Sequence, residues 1–241
     1  MRMKFRTKFF QSLAPRLGAN SFVYSLLIFS MTAASGADFS IFLWDKDELL
    51  DDDDYLFYKK GDEFFKIDAS DRFRSSIFSI NDTVLALYRS PSVDQLNEES
   101  LPIVKLSFPR IQGRFLIILK RSGNDKVGSI ILDDSYENFP LGYFWFVNMT
   151  AESIGLDFNS VKAEIPSYGN RIISPGKATP GDLPLEIYQI QNGRVKMPVS
   201  TVWSFDPENR EIVFIANDGK RGFRLRLRLL RDFLPSQLNA Q

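Results

Sequence analysis

From Ser40 onward the chain is a succession of short apolar runs, rich in β-branched and aromatic residues and separated by turn residues. Ser40–Trp44, Tyr55–Tyr58, Val84–Tyr88, Arg114–Lys120, Tyr143–Asn148, Glu211–Ala216 and Phe223–Leu230 are examples. Strands recurring about every 8–12 residues with turn signals between them predict an all-β sandwich or barrel. Beyond residue 37 no segment sustains a 3.6-residue apolar period. The nearest, Val93–Leu101, is short and bracketed by Pro91 and Pro102. A membrane barrel would also alternate apolar and polar positions. Charged residues inside many segments, irregular segment lengths and runs apolar on both faces argue against it.

Periodicity separates these strands by environment. Phe223-Arg224-Leu225-Arg226-Leu227-Arg228-Leu229 alternates strictly, giving one apolar face and a row of Arg expected to face solvent. Phe115-Leu116-Ile117-Ile118-Leu119 and Tyr143-Phe144-Trp145-Phe146-Val147 are apolar on both faces. A strand of an antiparallel sandwich ordinarily has one wet face, so something must cover these two. They flank the polar stretch Asp133-Asp134-Ser135-Tyr136-Glu137-Asn138 and the turn Phe139-Pro140-Leu141-Gly142. A seam is expected there, dividing the chain into an N-terminal half, 38–136, and a C-terminal half, 137–241. Each is about 100 residues, the size of an immunoglobulin sandwich. The fold expected is an antiparallel β-sandwich of two such halves packed through their covered faces, with a single larger sandwich as the alternative. Gln191-Asn192-Gly193, Asp206-Pro207-Glu208-Asn209 and Asn217-Asp218-Gly219 read as tight turns, making the last third a meander of consecutive antiparallel strands.

The formal net charge is zero, with 30 Lys+Arg against 30 Asp+Glu, but the charges are unevenly spread. Residues 1–37 hold Arg2, Lys4, Arg6, Lys8 and Arg16 and no acid, followed by an apolar run from Phe22 to Met31 and the small residues Ala33-Ala34-Ser35-Gly36-Ala37. That order describes a secretory signal peptide, with Ser35 and Ala37 at the −3 and −1 positions. The run is shorter than the ~20 apolar residues of a membrane span and is interrupted by Ser25, Ser30 and Thr32, so no stable span is expected after cleavage. Removing the five basic residues leaves 25 basic against 30 acidic side chains, a balance unsuited to nucleic acid. A bacterial periplasmic or extracellular location fits an exported chain without cysteine.

The chain also lacks histidine, which removes imidazole general bases along with thiol nucleophiles and Cys-ligated metal sites. The acidic stretch Asp45–Asp54 fails the EF-hand pattern: Leu49, Leu50 and Leu56 stand at its fifth, sixth and twelfth positions. Ser174-Pro175-Gly176-Lys177 matches S-x-x-K, but Pro-Gly reads as a turn, and 24 Ser and 13 Lys yield about one such match by chance. Asp133, Asp134 and Glu137 are the first place to seek a hydrolytic carboxylate pair. Tyr143, Trp145 and Trp203 read as core, and Trp44 as the better candidate for an exposed ring. No catalytic, cofactor-binding or metal-ligating residue is assigned, and no cofactor is expected.

One set of motifs is shared with a known pattern. Asp134, Phe139-Pro140-Leu141-Gly142-Tyr143, Phe146-Val147-Asn148, Ser174-Pro175-Gly176, Trp203, Pro207, Arg210 and Ile212–Ile215 resemble uncharacterised exported bacterial β-sandwich proteins. The resemblance covers about half of the chain beyond the leader and implies fold rather than activity. The expectation is a non-catalytic envelope or extracellular binding or structural module, with an envelope protein or a glycan as partner. The alternative is a carbohydrate-binding or carboxylate-dependent glycan-active protein.

Overall fold

The computed structural model describes residues 36–122, 126–176, 178–191, 194–217 and 225–232. The expected leader lies outside them apart from Gly36 and Ala37, as do Asn192-Gly193, Asp218-Gly219, Arg224 and Lys177.

Eight strands precede the seam: β1 (Ala37–Leu43), β2 (Tyr55–Lys60), β3 (Glu63–Ile67), β4 (Phe78–Ile80), β5 (Val84–Ser90), β6 (Val104–Ser107), β7 (Gly113–Arg121) and β8 (Val127–Asp133). Eight follow it: β9 (Phe144–Asn148), β10 (Ser153–Phe158), β11 (Val161–Ile165), β12 (Asn170–Ile173), β13 (Gly181–Gln191), β14 (Arg194–Phe205), β15 (Arg210–Asn217) and β16 (Leu225–Asp232). The chain is all-β, as the strand spacing predicts. Helical structure among the described residues is limited to one turn, α1 (Lys46–Leu49), and a 3-10 turn at Val93–Gln95 within the segment of weak helical character.

The two halves share one topology. In the first, an inner sheet of order β4-β1-β7-β8 faces an outer sheet β3-β2-β5-β6. In the second, the inner sheet is β12-β9-β15-β16 and the outer one β11-β10-β13-β14. Adding eight to each strand number converts one half into the other. The correspondence extends to direction, because β1 runs parallel to β7 and β9 parallel to β15 while the remaining pairs are antiparallel. Register places Leu43 beside Leu119 and Asn148 beside Ile215, which makes β1 and β7 the counterparts of β9 and β15 residue by residue.

The expected meander is therefore only partly formed. β13 pairs with β14 and β15 with β16, but β14 and β15 belong to different sheets. Asp206–Asn209 is a turn that carries the chain across the sandwich rather than closing a hairpin. Its polar sequence specifies a reversal but not which sheet receives the next strand.

Three apolar layers result. Phe39, Ile41, Phe115 and Ile117 fill the first sandwich, and Phe144, Phe146, Phe158 and Val213 the second. Alternate residues of the same inner strands, Phe42, Leu116 and Ile118 on one side and Trp145, Val147, Ile212 and Phe214 on the other, form a third layer between the inner sheets. Because side chains alternate across a strand, a strand with a core on each side must be apolar at every position. This accounts for the doubly apolar runs. Phe42 and Phe214 stack across the seam, centroids 5.4 Å apart and planes 2° from parallel.

Ala37, the expected last residue of the leader, opens β1 fully buried and pairs with Ile80 and Gly113.

Candidate functional site

The connection between the halves is organised by one carboxylate. Asp134, just past β8, is fully buried. Its Oδ2 lies 3.0 Å from Arg114 Nε and 3.0 Å from Arg74 Nη1, and its Oδ1 lies 3.1 Å from Arg210 Nη2. Arg210, also fully buried, donates through Nη1 to the carbonyls of Asp134 and Phe139 at 3.0 and 2.9 Å. Its guanidinium covers the Tyr136 ring at 4.3 Å and that of Phe139 at 5.1 Å. Neighbouring Asp133 is held by Arg110 at 2.6 Å. Asp133 and Asp134 thus serve the joint, where the sequence suggested a place to look for a hydrolytic pair. A carboxylate surrounded by three guanidiniums and closed to solvent has no access to a scissile bond.

The acidic stretch is held by its apolar residues, while Asp47, Glu48, Asp51, Asp52 and Asp53 are exposed. Leu49 and Leu50, inside the acidic stretch, are buried, and Asp54 faces Arg89 at 3.4 Å. Among the described residues no group of three carboxylates converges as a metal ion would require. Ser174 accepts from the backbone N–H of Gly176, whose φ is +75°, so this segment is a turn. Trp145 is buried and its indole N–H donates to Asn170; the half-buried Trp203 donates to Glu211. Trp44, expected to be exposed, is half-buried against Phe214, because the second half covers it.

The Arg row of the last strand also departs from expectation. Arg226 is exposed, but Arg228 lies over the rings of Trp44 and Phe42, donates to the Trp44 carbonyl and reaches Asp71 at 3.8 Å. The polar face of β16 looks toward the first half, so what alternation marks as a solvent face is partly a seam.

The outer sheets, whose outward faces are not used in joining the halves, diverge most. On β2, Leu56 and Tyr58 enter the first core, so Tyr55, Phe57 and Lys59 point outward. The ladder sets Phe57 between Lys66 and Tyr88, and Lys59 opposite Phe64. On the sister sheet the same ladder positions hold Gly155 between Glu164 and Tyr188, and Asp157 opposite Lys162. The second face is more acidic, with Asp157, Glu164 and Glu186 beside Lys162, which lies 3.7 Å from Asp157; the Tyr188 ring lies over Gly155, and Val202 is exposed on β14. On the first face, Lys66 caps the half-exposed Tyr55 ring at 3.1 Å, Lys59 lies 5.7 Å from that of Phe64, and Phe64 meets Tyr88 edge-on at 5.0 Å. Tyr55, Phe57, Phe64, Lys66, Pro91 and Val93 border an open depression of about 320 Å³. Sequence reading overlooked this face because Tyr55–Tyr58 and Glu63–Ile67 register only as short apolar runs. The signal lies in cross-strand partners, which only register reveals.

No protein-family model matches the chain, and no curated protein sequence is similar to it.

Proposed function

We propose that this protein is an exported, non-catalytic binding module of the bacterial envelope or extracellular space, engaging its partner through the outward face of β2, β3 and β5. The observation that carries the reading is the contrast between the two outer sheets. Two halves of one topology face the same demand for a soluble outer surface. The second meets it with Ser153, Gly155, Asp157, Lys162 and Glu164, whereas the first places Tyr55, Phe57, Lys59, Phe64 and Lys66 at the corresponding positions. The partly exposed rings of Tyr55 and Phe64, edged by cations above a buried Phe57, have the composition of a recognition surface.

The test is binding of the full chain to isolated envelope fractions and to a glycan array. Saturable binding that Lys66→Glu abolishes and Glu164→Gln leaves intact supports the reading. Equal binding by all three proteins, or hydrolysis of an arrayed glycan, overturns it.

A further inference from the structure

We infer that the depression on this outer sheet takes an extended acidic peptide segment bearing one large apolar side chain, a partner class that rests on the binding-module reading above. Phe57 forms the floor, and Tyr55, Phe64, Pro91 and Val93 form the walls. The volume, about 320 Å³, suits one aromatic or branched side chain.

Hydrogen-bonding groups around it are few. The Ser92 hydroxyl accepts from the backbone N–H of Asp94 and donates to that residue's carboxylate at 3.4 Å, leaving the Lys66 ammonium and the Tyr55 hydroxyl as the polar side-chain groups of the lining. A sugar ring, with hydroxyls around its whole edge, would lose solvation there without replacement. An apolar side chain loses none.

The cations then set the flanking chemistry. Phe57 faces Lys66 and Lys59 faces Phe64 across the ladder, so aromatic and cationic side chains alternate like the squares of a chequerboard. The Lys66 ammonium lies over the Tyr55 ring and that of Lys59 nearest the Phe64 ring, so the two cations stand beside different walls of the depression. In an extended peptide, residues two positions before and after an apolar residue turn to the same face as it does. Carboxylates at those positions therefore serve the two lysines. Neither lysine makes an ion pair among the described residues. Of the acids around it, Asp54 pairs with Arg89, Asp68 bonds Ser76 and Asp71 reaches Arg228, while Asp94 bonds within its own turn to Ser92. On the sister face Lys162 is met by Asp157, and the further charges there, Glu164 and Glu186, are acids.

The experiment is selection of a random displayed peptide library on the full chain, followed by titration of the synthesised consensus peptide. The expected consensus holds a large apolar residue with Asp or Glu two positions before or after it. Lys66→Glu should weaken its binding by about tenfold or more with unchanged melting temperature, and Glu164→Gln should leave it unaltered. A consensus without acids, one indifferent to Lys66→Glu, or no enrichment overturns the inference. If the envelope or glycan binding described above still depends on Lys66, the binding-module reading survives. Loss of both signals removes both.

Discussion

Arg114 and Arg210 occupy the same place in the two halves and hold opposite oxygens of a single carboxylate. Arg114 follows Gly113 at the start of β7, Arg210 opens β15, and both reach Asp134, at 3.0 and 3.1 Å. Two symmetry-like positions thus converge on the one connection between the halves, with Arg74 as a third cation. Removing the acid leaves buried guanidiniums uncompensated. Asp134→Asn is expected to lower unfolding free energy by about 3–5 kcal/mol, measured by urea denaturation. The double variant Asp134→Leu/Arg210→Met should recover much of that loss. A change below ~1 kcal/mol in the single variant would show that the joint does not depend on this acid.

The seam layer predicts coupling between halves. Phe42 belongs to the first half and Phe214 to the second, and their rings stack in the layer both inner sheets share. Phe214→Ala should cost about 3–5 kcal/mol, and Phe42→Ala should add less in its presence than alone, since the stack is already gone. A double-mutant cycle in denaturant measures that difference, and strict additivity would refute the coupling.

Gly155 supplies a steric test. A Cβ there would lie 2.0 Å from Tyr188 Cε2, so the ring lies over the glycine backbone. Gly155→Ala should destabilise by about 1–3 kcal/mol through overpacking, and adding Tyr188→Ala should relieve that clash. Thermal melting of the three variants checks it.

Tyr58 ties stability to alkaline pH. Burial against Phe39, Phe65 and Phe78 raises its phenol pKa above the ordinary value of 10.0. Above that value the unfolded chain releases the proton first and the native state holds it. The native state then binds more protons, and stability falls as pH rises. Tyr58 therefore contributes its full share below about pH 10 and loses it as pH climbs through the raised folded value. Urea midpoints of Tyr58→Phe should decline less steeply above pH 10 than those of the parent. Parallel declines would count against it.

The proposed export leader meets a structural constraint. Ala37 is buried within β1 and pairs with residues on both neighbouring strands. An exported chain beginning at Gly36, with Ala33 and Ser35 at −3 and −1, keeps the strand whole, whereas one beginning at Asp38 loses its first pair. N-terminal sequencing of exported protein is expected to return Gly36 or an earlier residue, and Asp38 would refute this.

Much of the architecture was legible because it is written in local alternation. Phe115–Leu119 announced a strand buried on both sides, and Gly142, with φ of +74°, and Asn148 behaved as their residue types at a turn and a strand end suggest. The Asn148 amide donates to the Glu152 and Pro166 carbonyls, and its oxygen accepts from Thr150. Other features resisted reading for a physical reason. Arg228 and Trp44 are 184 residues apart in sequence, and nothing near either one reveals that they touch. The role of Asp134 depends on Arg74, Arg114 and Arg210, each from a different element.

The sequence by itself determined an all-β chain, the strands apolar on both faces and the polar connection between two halves. Side-chain alternation is a property of a few consecutive residues, so it survives without knowledge of the fold. Tertiary structure alone decided which strands pair, that the halves repeat one topology, and that their outer faces differ. Pairing is a choice among distant partners, made by register and by burial shared across sheets. Phe57 becomes part of the proposed recognition face only when Lys66 and Tyr88 are set beside it, and that placement belongs to the ladder rather than to the segment.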